Sequence, residues 1–443
     1  MLRICAIFLL LFIPNFAFSH DASDRQSLDI LWVCICAILV FFMQSGFALL
    51  ESGLSRSKNA VNTLMKNYVD VCLVSIGFWA LGYGLMFGTS HLGILGTDLF
   101  FLQTDDAWIT TQLLYQMMFA ATAVTICSGA MAERTRFPAY IAGALIIGTL
   151  IYPIFGSWVW NENGWLANLG FIDFAGSTVV HSIGGWCALA GALVIGPRTG
   201  RFDPETGQAR LIPGHNLTLV LLGGFILWLG WFGFNGGSTL ALENKIGPII
   251  LNTHFAACAG ALGAILYTQF SRKRVLLSTT VNGSLAGLVS ITAGCANMTS
   301  TFALLTGILA GMIASIAIHQ LEKLKIDDVV GAIGVHGIAG AWGTLAAGLF
   351  YSGDLFNIDR VMVQIIGIVA AFLWAFPLAY ITYFLIDRTI GLRSNIIAER
   401  RGLDYAEHNE IGYPEFIAAI SPKPKSMTSS HSRSTAVIDD RDF

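Results

Sequence analysis

The sequence predicts an all-α membrane protein with eleven transmembrane helices. Hydrophobic residues make up 55% of the 443-residue chain and charged residues only 12%, against roughly 25% charged residues in an average soluble domain. Apolar runs near the ~20 residues that cross a hydrocarbon core recur along almost the whole length. Lysine and arginine collect in alternate connections between these runs, as the positive-inside rule requires of a multi-pass protein.

The first residues predict a removable signal peptide over 1–19. Arg3 precedes a short apolar stretch, and Ala17-Phe18-Ser19 supplies the small-x-small pattern of a cleavage site. An additional transmembrane helix is the alternative, but Pro14 and Asn15 interrupt the apolar run.

The hydropathy pattern places the eleven spans at short intervals within a transmembrane domain over 20–390. A cytoplasmic segment over 391–421 follows, and the Ser, Lys and Pro content of 422–443 is typical of a disordered tail. The spans are predicted near 28–50, 67–88, 108–131, 137–159, 173–196, 216–236, 248–270, 276–297, 301–321, 331–351 and 361–386.

The basic residues orient these spans. The N-terminal segment and the connections on its side of the membrane hold only Arg25, Lys245 and Arg360. The mature N-terminus is therefore expected outside and the C-terminus in the cytoplasm, which requires an odd number of spans in the plasma or inner membrane. The basic residues expected on the cytoplasmic side are Arg56, Lys58, Lys66, Arg134, Arg136, Arg198, Arg201, Arg210, Arg272, Lys273, Arg274, Lys323, Lys325, Arg388, Arg393, Arg400 and Arg401.

Two segments share a pattern in which a histidine follows an aspartate by eight residues. Asp173 precedes His181 in the fifth span, and Asp328 precedes His336 in the tenth. These spans run in opposite directions, so spans one to five and six to ten are predicted to form an inverted repeat, a common plan of transporters. Eight helical residues rise about 12 Å, which carries each histidine to near the middle of a ~30 Å core.

An ionisable residue at that depth is costly, and a role in a pathway or in proton handling is its default interpretation. One alternative is a neutral imidazole that only bonds a neighbouring helix. A metal site is another, but two histidines supply too few ligands. Asp173 and Asp328 start their helices, where a carboxylate accepts bonds from free backbone N–H groups, so we expect structural support from both.

Longer motifs surround these residues. They are DFAGSTVVH over 173–181, DVVGAIGVHG over 328–337, WFGFNGGS over 231–238, QMMF over 116–119 and GLDYAEHNE over 402–410. With these motifs the chain resembles the Amt/Rh/methylammonium permease family of ammonium transporters over nearly its whole length.

The resemblance implies an outer site that recruits ammonium, formed by Phe119, Trp160 and Ser238. It implies a gate of Phe119 and Phe234, and a pore lined by His181 and His336. The residues implied to support them are Asp173, Thr178, Trp231 and Asp328. It further implies a homotrimer with one pore per subunit, no cofactor, and regulation by a PII-type protein at a cytoplasmic segment.

The physics of such a site can be argued separately. An aromatic cage attracts a small cation, and a hydroxyl accepts a hydrogen bond that potassium cannot donate. Beyond the gate a bare cation meets a severe desolvation cost. We therefore expect ammonium to lose its proton and neutral ammonia to pass between the rings. The histidines would relay the proton, so that net charge crosses.

Some positions leave alternatives open. Trp158 competes with Trp160 for the cage, because the residues that follow depart from the family's glycine run. Tyr115 stands where Phe is common, and its hydroxyl would add an acceptor. Glu51 is expected to play a structural, hydrogen-bonding role.

The rival function is an ammonium sensor of the same fold. A membrane enzyme would need a nucleophile or metal set beside the histidines, and the sequence offers neither. No basic patch with interleaved aromatic residues indicates nucleic acid.

Overall fold

The computed structural model describes residues 22–415. The predicted signal peptide over 1–19 and the tail over 422–443 lie outside the described residues. Within this part of the chain, nine helices are long and apolar enough to cross a membrane, and two shorter apolar helices complete a set of eleven. This confirms the prediction of an all-α membrane protein.

The eleven spans follow each other with short connections. They are Arg25–Leu54 (span 1), Ser57–Phe87 (span 2), Ala107–Ala130 (span 3), Phe137–Asn168 (span 4), Ser177–Ile195 (span 5), Leu217–Gly237 (span 6), Ile246–Phe270 (span 7), Leu277–Ile291 (span 8), Ser300–Lys323 (span 9), Ile333–Leu349 (span 10) and Ile358–Thr389 (span 11). The helix of span 1 begins at Ala22. Asp106, Asn216 and Asn357 cap spans 3, 6 and 11 through their side chains.

Four spans contain a π-helical segment, a feature found frequently at functional sites. The segments are Phe78–Gly82, Ile147–Ile151, Ser177–Ser182 and Ile333–Ile338. The last two carry His181 and His336, so the repeat extends from sequence to backbone geometry. The α-helical parts of these spans are Ala60–Gly77, Tyr83–Phe87, Phe137–Ile146, Tyr152–Trp160, Ile183–Ile195 and Ala339–Leu349.

Short elements lie in the connections and at the ends of spans. An antiparallel hairpin pairs Ser90–His91 with Leu95–Gly96 between spans 2 and 3. A 3-10 turn covers Ser57–Asn59, and one helical turn covers Trp165–Asn168. After span 11 the short helices Ile396–Arg401 and Leu403–His408 pack on the end of the bundle that we call the tail face.

Spans 5 and 10 approach each other at glycine. A Cβ atom added to Gly185 would lie 2.2 Å from the backbone nitrogen of Gly337, so any side chain would force the two helices apart. Small residues allow such close approach of helices in lipid. The contact places the two histidine-bearing segments side by side.

Several predicted bounds were wrong. Span 2 reaches back to Ser57 because its polar residues, such as Asn62, are buried against the tail. Span 5 begins at Ser177, not 173, because Gly176 has φ +111° and interrupts the helix. The eight residues between aspartate and histidine are therefore part loop, not one continuous helix. Span 8 ends at Ile291.

Candidate functional site

The two repeat histidines meet in the core of the bundle. Nδ1 of His181 lies 3.3 Å from Nδ1 of His336, and the ring centroids are 5.3 Å apart. Their exposed fractions are 0% and 4%. Because the facing nitrogens are within hydrogen-bond distance, one donates and the other accepts, and a proton can change sides only if the tautomers change.

The aspartates of the repeat hold the turns that lead to these histidines. The Asp173 carboxylate accepts from the backbone nitrogens of Gly176, Thr178 and Val179 at 3.0, 2.8 and 2.8 Å. The second repeat has the same arrangement. There the Asp328 carboxylate accepts from the nitrogens of Gly331, Ala332 and Ile333 at 3.0, 3.0 and 2.7 Å.

Aromatic rings cover one side of the histidine pair. His181 stacks on Trp231 and on Phe234, with ring centroids 5.0 and 5.4 Å apart. The indole nitrogen of Trp231 donates to Thr292 Oγ1 at 2.9 Å, which fixes the ring. The Thr178 hydroxyl is hydrogen-bonded to the Thr344 hydroxyl and joins spans 5 and 10 beside the pair.

Phe119 and Phe234 form the next layer. Their rings stack with centroids 4.0 Å apart and an interplanar angle of 21°, and both are buried. Trp160 stands edge-on to Phe119 at 6.0 Å, and its indole nitrogen donates to the carbonyl of Asp173 at 2.8 Å. Phe234 of this stacked pair also stacks on His181, so the pair lies between Trp160 and the histidine.

A cavity of about 810 Å³ lies beyond the stacked rings; we call it the wide cavity. Phe119, Trp160 and Ser238 line it, together with the carboxylates Asp98 and Glu162. Hydrogen bonds from the side chain and backbone of Thr89 lower the pKa of Asp98, which keeps it ionised at neutral pH. Acidic groups at a concave mouth attract cations.

Two hydroxyl oxygens that line the wide cavity are available as hydrogen-bond acceptors for a ligand. Tyr115 Oη donates to the carbonyls of Phe234 and Gly233 at 2.8 and 3.1 Å, and Ser238 Oγ donates to the Phe234 carbonyl at 2.8 Å. The two hydroxyl oxygens are 3.3 Å apart. A hydroxyl has one proton, so oxygens that donate to the backbone offer lone pairs to a ligand.

A much smaller cavity lies on the other side of the histidine pair; we call it the small cavity. Its volume is about 20 Å³, and a cavity of roughly 10–15 Å³ already holds a water molecule. His336 lines it with Phe47, Glu51 and Asn282. Phe47 lies 6.0 Å from the His336 ring and is tilted, whereas Trp231 and Phe234 are stacked on His181.

The structure therefore brings Phe119, Trp160 and Ser238 to one cavity and Phe234, Trp231 and both histidines to the layers below it. Trp158 instead packs against Trp374 at 4.9 Å and donates to the Ile94 carbonyl. The sequence reasoning missed Phe47, Thr292 and Thr344, which touch the pair or its supports. No periodicity marks them, because each matters through a partner distant in sequence.

The tail face holds a network of ion pairs. Glu133 bonds Arg56 and Arg198, and Asp327 takes a two-pronged contact from Arg198 at 2.8 and 2.9 Å. Burial alone would raise the pKa of Asp327, but the hydrogen bonds and charge of Arg198 and the charge of Arg134 outweigh it and hold that pKa well below its usual range. The network ties together four connections of the bundle.

The segment after span 11 attaches to the same face. Glu399 accepts from Thr199 N at 2.6 Å and from Arg393 at 2.8 Å. Burial would raise the pKa of Glu399, but these bonds lower it. Asp404 accepts from the backbone nitrogen of Asn62 at 2.8 Å, so the segment is bonded directly to span 2.

Within residues 22–415, no group of three or more His, Cys, Asp or Glu side chains is placed to hold a metal ion. The fold and the site define a multi-pass membrane protein in which a buried histidine pair separates two cavities.

Comparison with known proteins identifies the family. Residues 31–413 match the model of the Ammonium Transporter Family. The chain is 41% identical to the ammonium transporter Amt2 of Archaeoglobus fulgidus, over 94% of each chain. It is 33% identical to an ammonium transporter of Bacillus subtilis, over 87% of this chain and 98% of the relative. The chain belongs to the ammonium transporter family.

Solved structures with the same fold include two kinds of protein. A sensor Amt protein superposes with a TM-score of 0.85 at 41% identity, covering 88% of this chain and all of the other. Candida albicans Mep2 superposes with a TM-score of 0.77 at 28% identity, covering 84% of this chain and 87% of the other. The membership predicted from the motifs is confirmed.

Proposed function

We propose that this protein transports ammonium across the membrane and recruits the cation in the wide cavity. The rings of Phe119 and Trp160 offer their faces to a cation, and the oxygens of Ser238 and Tyr115 are left as acceptors because their protons bond the backbone. Ammonium can donate to both oxygens. Potassium has no proton to donate, so the pair favours ammonium over a cation of similar size.

The stacked rings of Phe119 and Phe234 form the gate. Their centroids are 4.0 Å apart, which leaves no room for a hydrated cation. An ion stripped of water would meet a low-dielectric path with little compensation. Ammonium therefore gives a proton to water in the wide cavity, neutral ammonia passes when the rings part, and the proton reaches His181 separately.

The histidine pair then receives ammonia and handles the proton. The observation that carries the proposal is the 3.3 Å contact between Nδ1 atoms of imidazoles from oppositely directed spans, buried behind the gate. Neutral imidazoles both donate to and accept from ammonia. A proton relayed along the pair makes the transport electrogenic.

The orientation in the membrane and the assembly are part of the same proposal. The wide cavity opens outside and the tail face lies in the cytoplasm of the plasma or inner membrane, as the basic residues of the connections indicate. Three subunits assemble as a homotrimer with one pore each, an inference from family membership. The bonded segment after span 11 offers a cytoplasmic surface to a PII-type regulatory protein.

The test is current recorded on solid-supported membranes that carry proteoliposomes. Ammonium should evoke a current and potassium should not, and His181→Ala and His336→Ala should each lower the ammonium current by tenfold or more. His254→Ala is the matched control, because this histidine is exposed on span 7 and lies tilted against Trp228, outside the histidine pair. A potassium current equal to that of ammonium would refute the selectivity.

A sensor is the second candidate function, and the TM-score of 0.85 with a sensor Amt protein favours it. A sensor would bind ammonium in the wide cavity and pass little of it. Binding without current and without uptake of ammonia would identify this function. Currents that the His181→Ala variant loses would exclude it.

A further inference from the structure

Glu51 is a buried carboxylate that the transport scheme leaves unused. It lies near the end of span 1, with 1% of its surface exposed. It lines the small cavity together with His336, on the side of the histidine pair that faces away from the gate. An ionisable group inside a membrane that faces a cavity is a functional candidate by default.

The partners of Glu51 differ from those of the carboxylates that brace the tail face. Glu133, Asp327 and Glu399 each bond an arginine. In the described part of the chain no lysine or arginine nitrogen comes within 4.0 Å of Glu51. The charge of Glu51 is therefore not neutralised by a paired arginine, as the charges of the tail-face carboxylates are.

The hydrogen bonds around Glu51 hold it in one orientation. Glu51 Oε2 accepts from Asn67 Nδ2 at 3.0 Å, and Asn67 Oδ1 accepts from the Thr125 hydroxyl at 2.7 Å. This bond from Thr125 fixes the amide so that its NH₂ group meets the carboxylate. Lys66, the residue before Asn67 in span 2, donates instead to the Thr135 carbonyl at 3.0 Å.

We propose that Glu51 carries the proton between the histidine pair and the cytoplasm, an inference that rests on the proposed transport function. Nδ1 of His336 faces His181, which leaves Nε2 to exchange a proton with the small cavity. As Nδ1 of His336 takes a proton from Nδ1 of His181, the Nε2–H bond of His336 breaks and an O–H bond forms on Glu51, directly or through one water. That O–H bond then breaks as ammonia in the cavity forms its fourth N–H bond and leaves as ammonium.

The cavity volume suits this step. About 20 Å³ holds one molecule of the size of water or ammonia, so a proton acceptor in the cavity lies next to both the imidazole and the carboxyl group. The Glu51 carboxylate is restored when ammonium departs, and the next proton arrives from His336. The charges of Lys66 and Asp70 act on Glu51 from span 2, and His336 lines the same cavity.

The test separates proton transfer from passage of ammonia. In proteoliposomes, current on solid-supported membranes reports the charge, and an internal pH dye reports the alkalinisation caused by neutral ammonia. Glu51→Gln keeps the size and the acceptor for Asn67 but cannot carry a proton. It should lower the current tenfold or more and leave the alkalinisation within twofold. Glu51→Asp should retain more current than Glu51→Gln.

Asp70→Asn is the matched control. Asp70 is a second buried carboxylate of this bundle; it accepts from the Tyr140 hydroxyl at 2.5 Å and does not line the small cavity. Both signals should stay within twofold of the parent protein. Equal losses of both signals in Glu51→Gln would assign Glu51 a structural role and overturn the proposal. An unchanged current in Glu51→Gln, or a selective loss of current in Asp70→Asn, would also overturn it.

The parent protein distinguishes failure of this inference from failure of transport. Alkalinisation without any current would leave ammonia passage intact and remove the proton carrier. The absence of both signals would refute transport and the proton carrier together.

Discussion

The two sides of the histidine pair have the same backbone plan and different surroundings. On each side an aspartate, a glycine with positive φ and a π-helical segment lead to a histidine. His181 is covered by stacked Trp231 and Phe234 below a cavity of about 810 Å³. His336 has a tilted Phe47 and a cavity of about 20 Å³.

The shared backbone plan and the different surroundings of the two histidines have separate roles. The shared elements position two imidazoles against each other, which needs rigid turns on both sides. The unshared elements decide what reaches the imidazoles. Acceptors and rings on the wide side suit the capture of a cation, and a single carboxyl group on the small side suits the transfer of a proton.

The largest expected effect lies in the shared part. Asp173→Ala and Asp328→Ala each leave three backbone N–H groups of a buried turn without their acceptor. Each unpaired group costs about 1–3 kcal/mol, so both variants should melt several degrees lower in detergent and lose tenfold or more of the ammonium current. Thermal unfolding of the purified proteins and current recordings measure these effects.

The matched controls are Asp173→Asn and Asp328→Asn, because an amide oxygen still accepts part of the bonds. Their melting temperatures and ammonium currents should lie between those of the alanine variants and those of the parent protein. If one alanine variant lost stability and current and the other lost neither, the two aspartates would not play the same structural part. The comparison between the two sides would then fail.

The inverted repeat and the meeting of the histidines were predictable because polar residues in apolar spans carry strong information. Asp173 with His181 and Asp328 with His336 stand out against their neighbours for that reason. The helix bounds around them were less predictable. A span that begins at Ser177 depends on the φ of Gly176 and on three backbone bonds, which no hydropathy window registers.

The surroundings of the histidines were predictable only in part. Phe119 and Phe234 were assigned through the family resemblance, since isolated phenylalanines are usual in any core. The small cavity was not predictable, because Glu51 and His336 come from spans 1 and 10 and meet only in three dimensions. The sequence favoured a structural role for Glu51, and the cavity is the observation on which the proposed proton transfer rests.

A moderate effect is expected on the wide side from Tyr115→Phe. The change removes one of two acceptor oxygens, and a hydrogen bond contributes about 0.5–1.5 kcal/mol. The ammonium concentration at half-maximal current should rise about two- to tenfold. The maximal current should change little, since ammonia crosses the gate below this site. Current measured over a range of ammonium concentrations gives both values.

Tyr380→Phe serves as the control for Tyr115→Phe, because Tyr380 is 41% exposed on span 11 and lies outside the wide cavity. It should leave both values unchanged. An unaltered half-maximal concentration in Tyr115→Phe would mean that the hydroxyl serves only the backbone of Phe234. The wide side would then depend on Ser238 alone for an acceptor.

The smallest expected effect concerns pH on the small side, where the tail contacts span 2. Nδ2 of Asn62 donates to Nε2 of His408 at 3.0 Å, so that nitrogen carries no proton, and the ring packs edge-on against Phe137. Burial lowers the pKa of His408, and the charge of Lys66 adds to this, while Asp404, Glu407 and Glu410 oppose it.

A lowered pKa means that the attached tail disfavours the protonated imidazole. Attachment is therefore strongest above the ordinary pKa of about 6.5 and weakens as the pH falls below it. Hydrogen exchange over 396–408, corrected for the intrinsic rate, should be faster at pH 5.5 than at pH 7.5. In His408→Gln the side chain still accepts from Asn62 but does not titrate. The difference between the exchange rates at pH 5.5 and pH 7.5 should therefore be smaller in this variant. If the exchange rates of the parent protein and of His408→Gln changed equally with pH, the pH dependence would come from the acidic neighbours and not from His408.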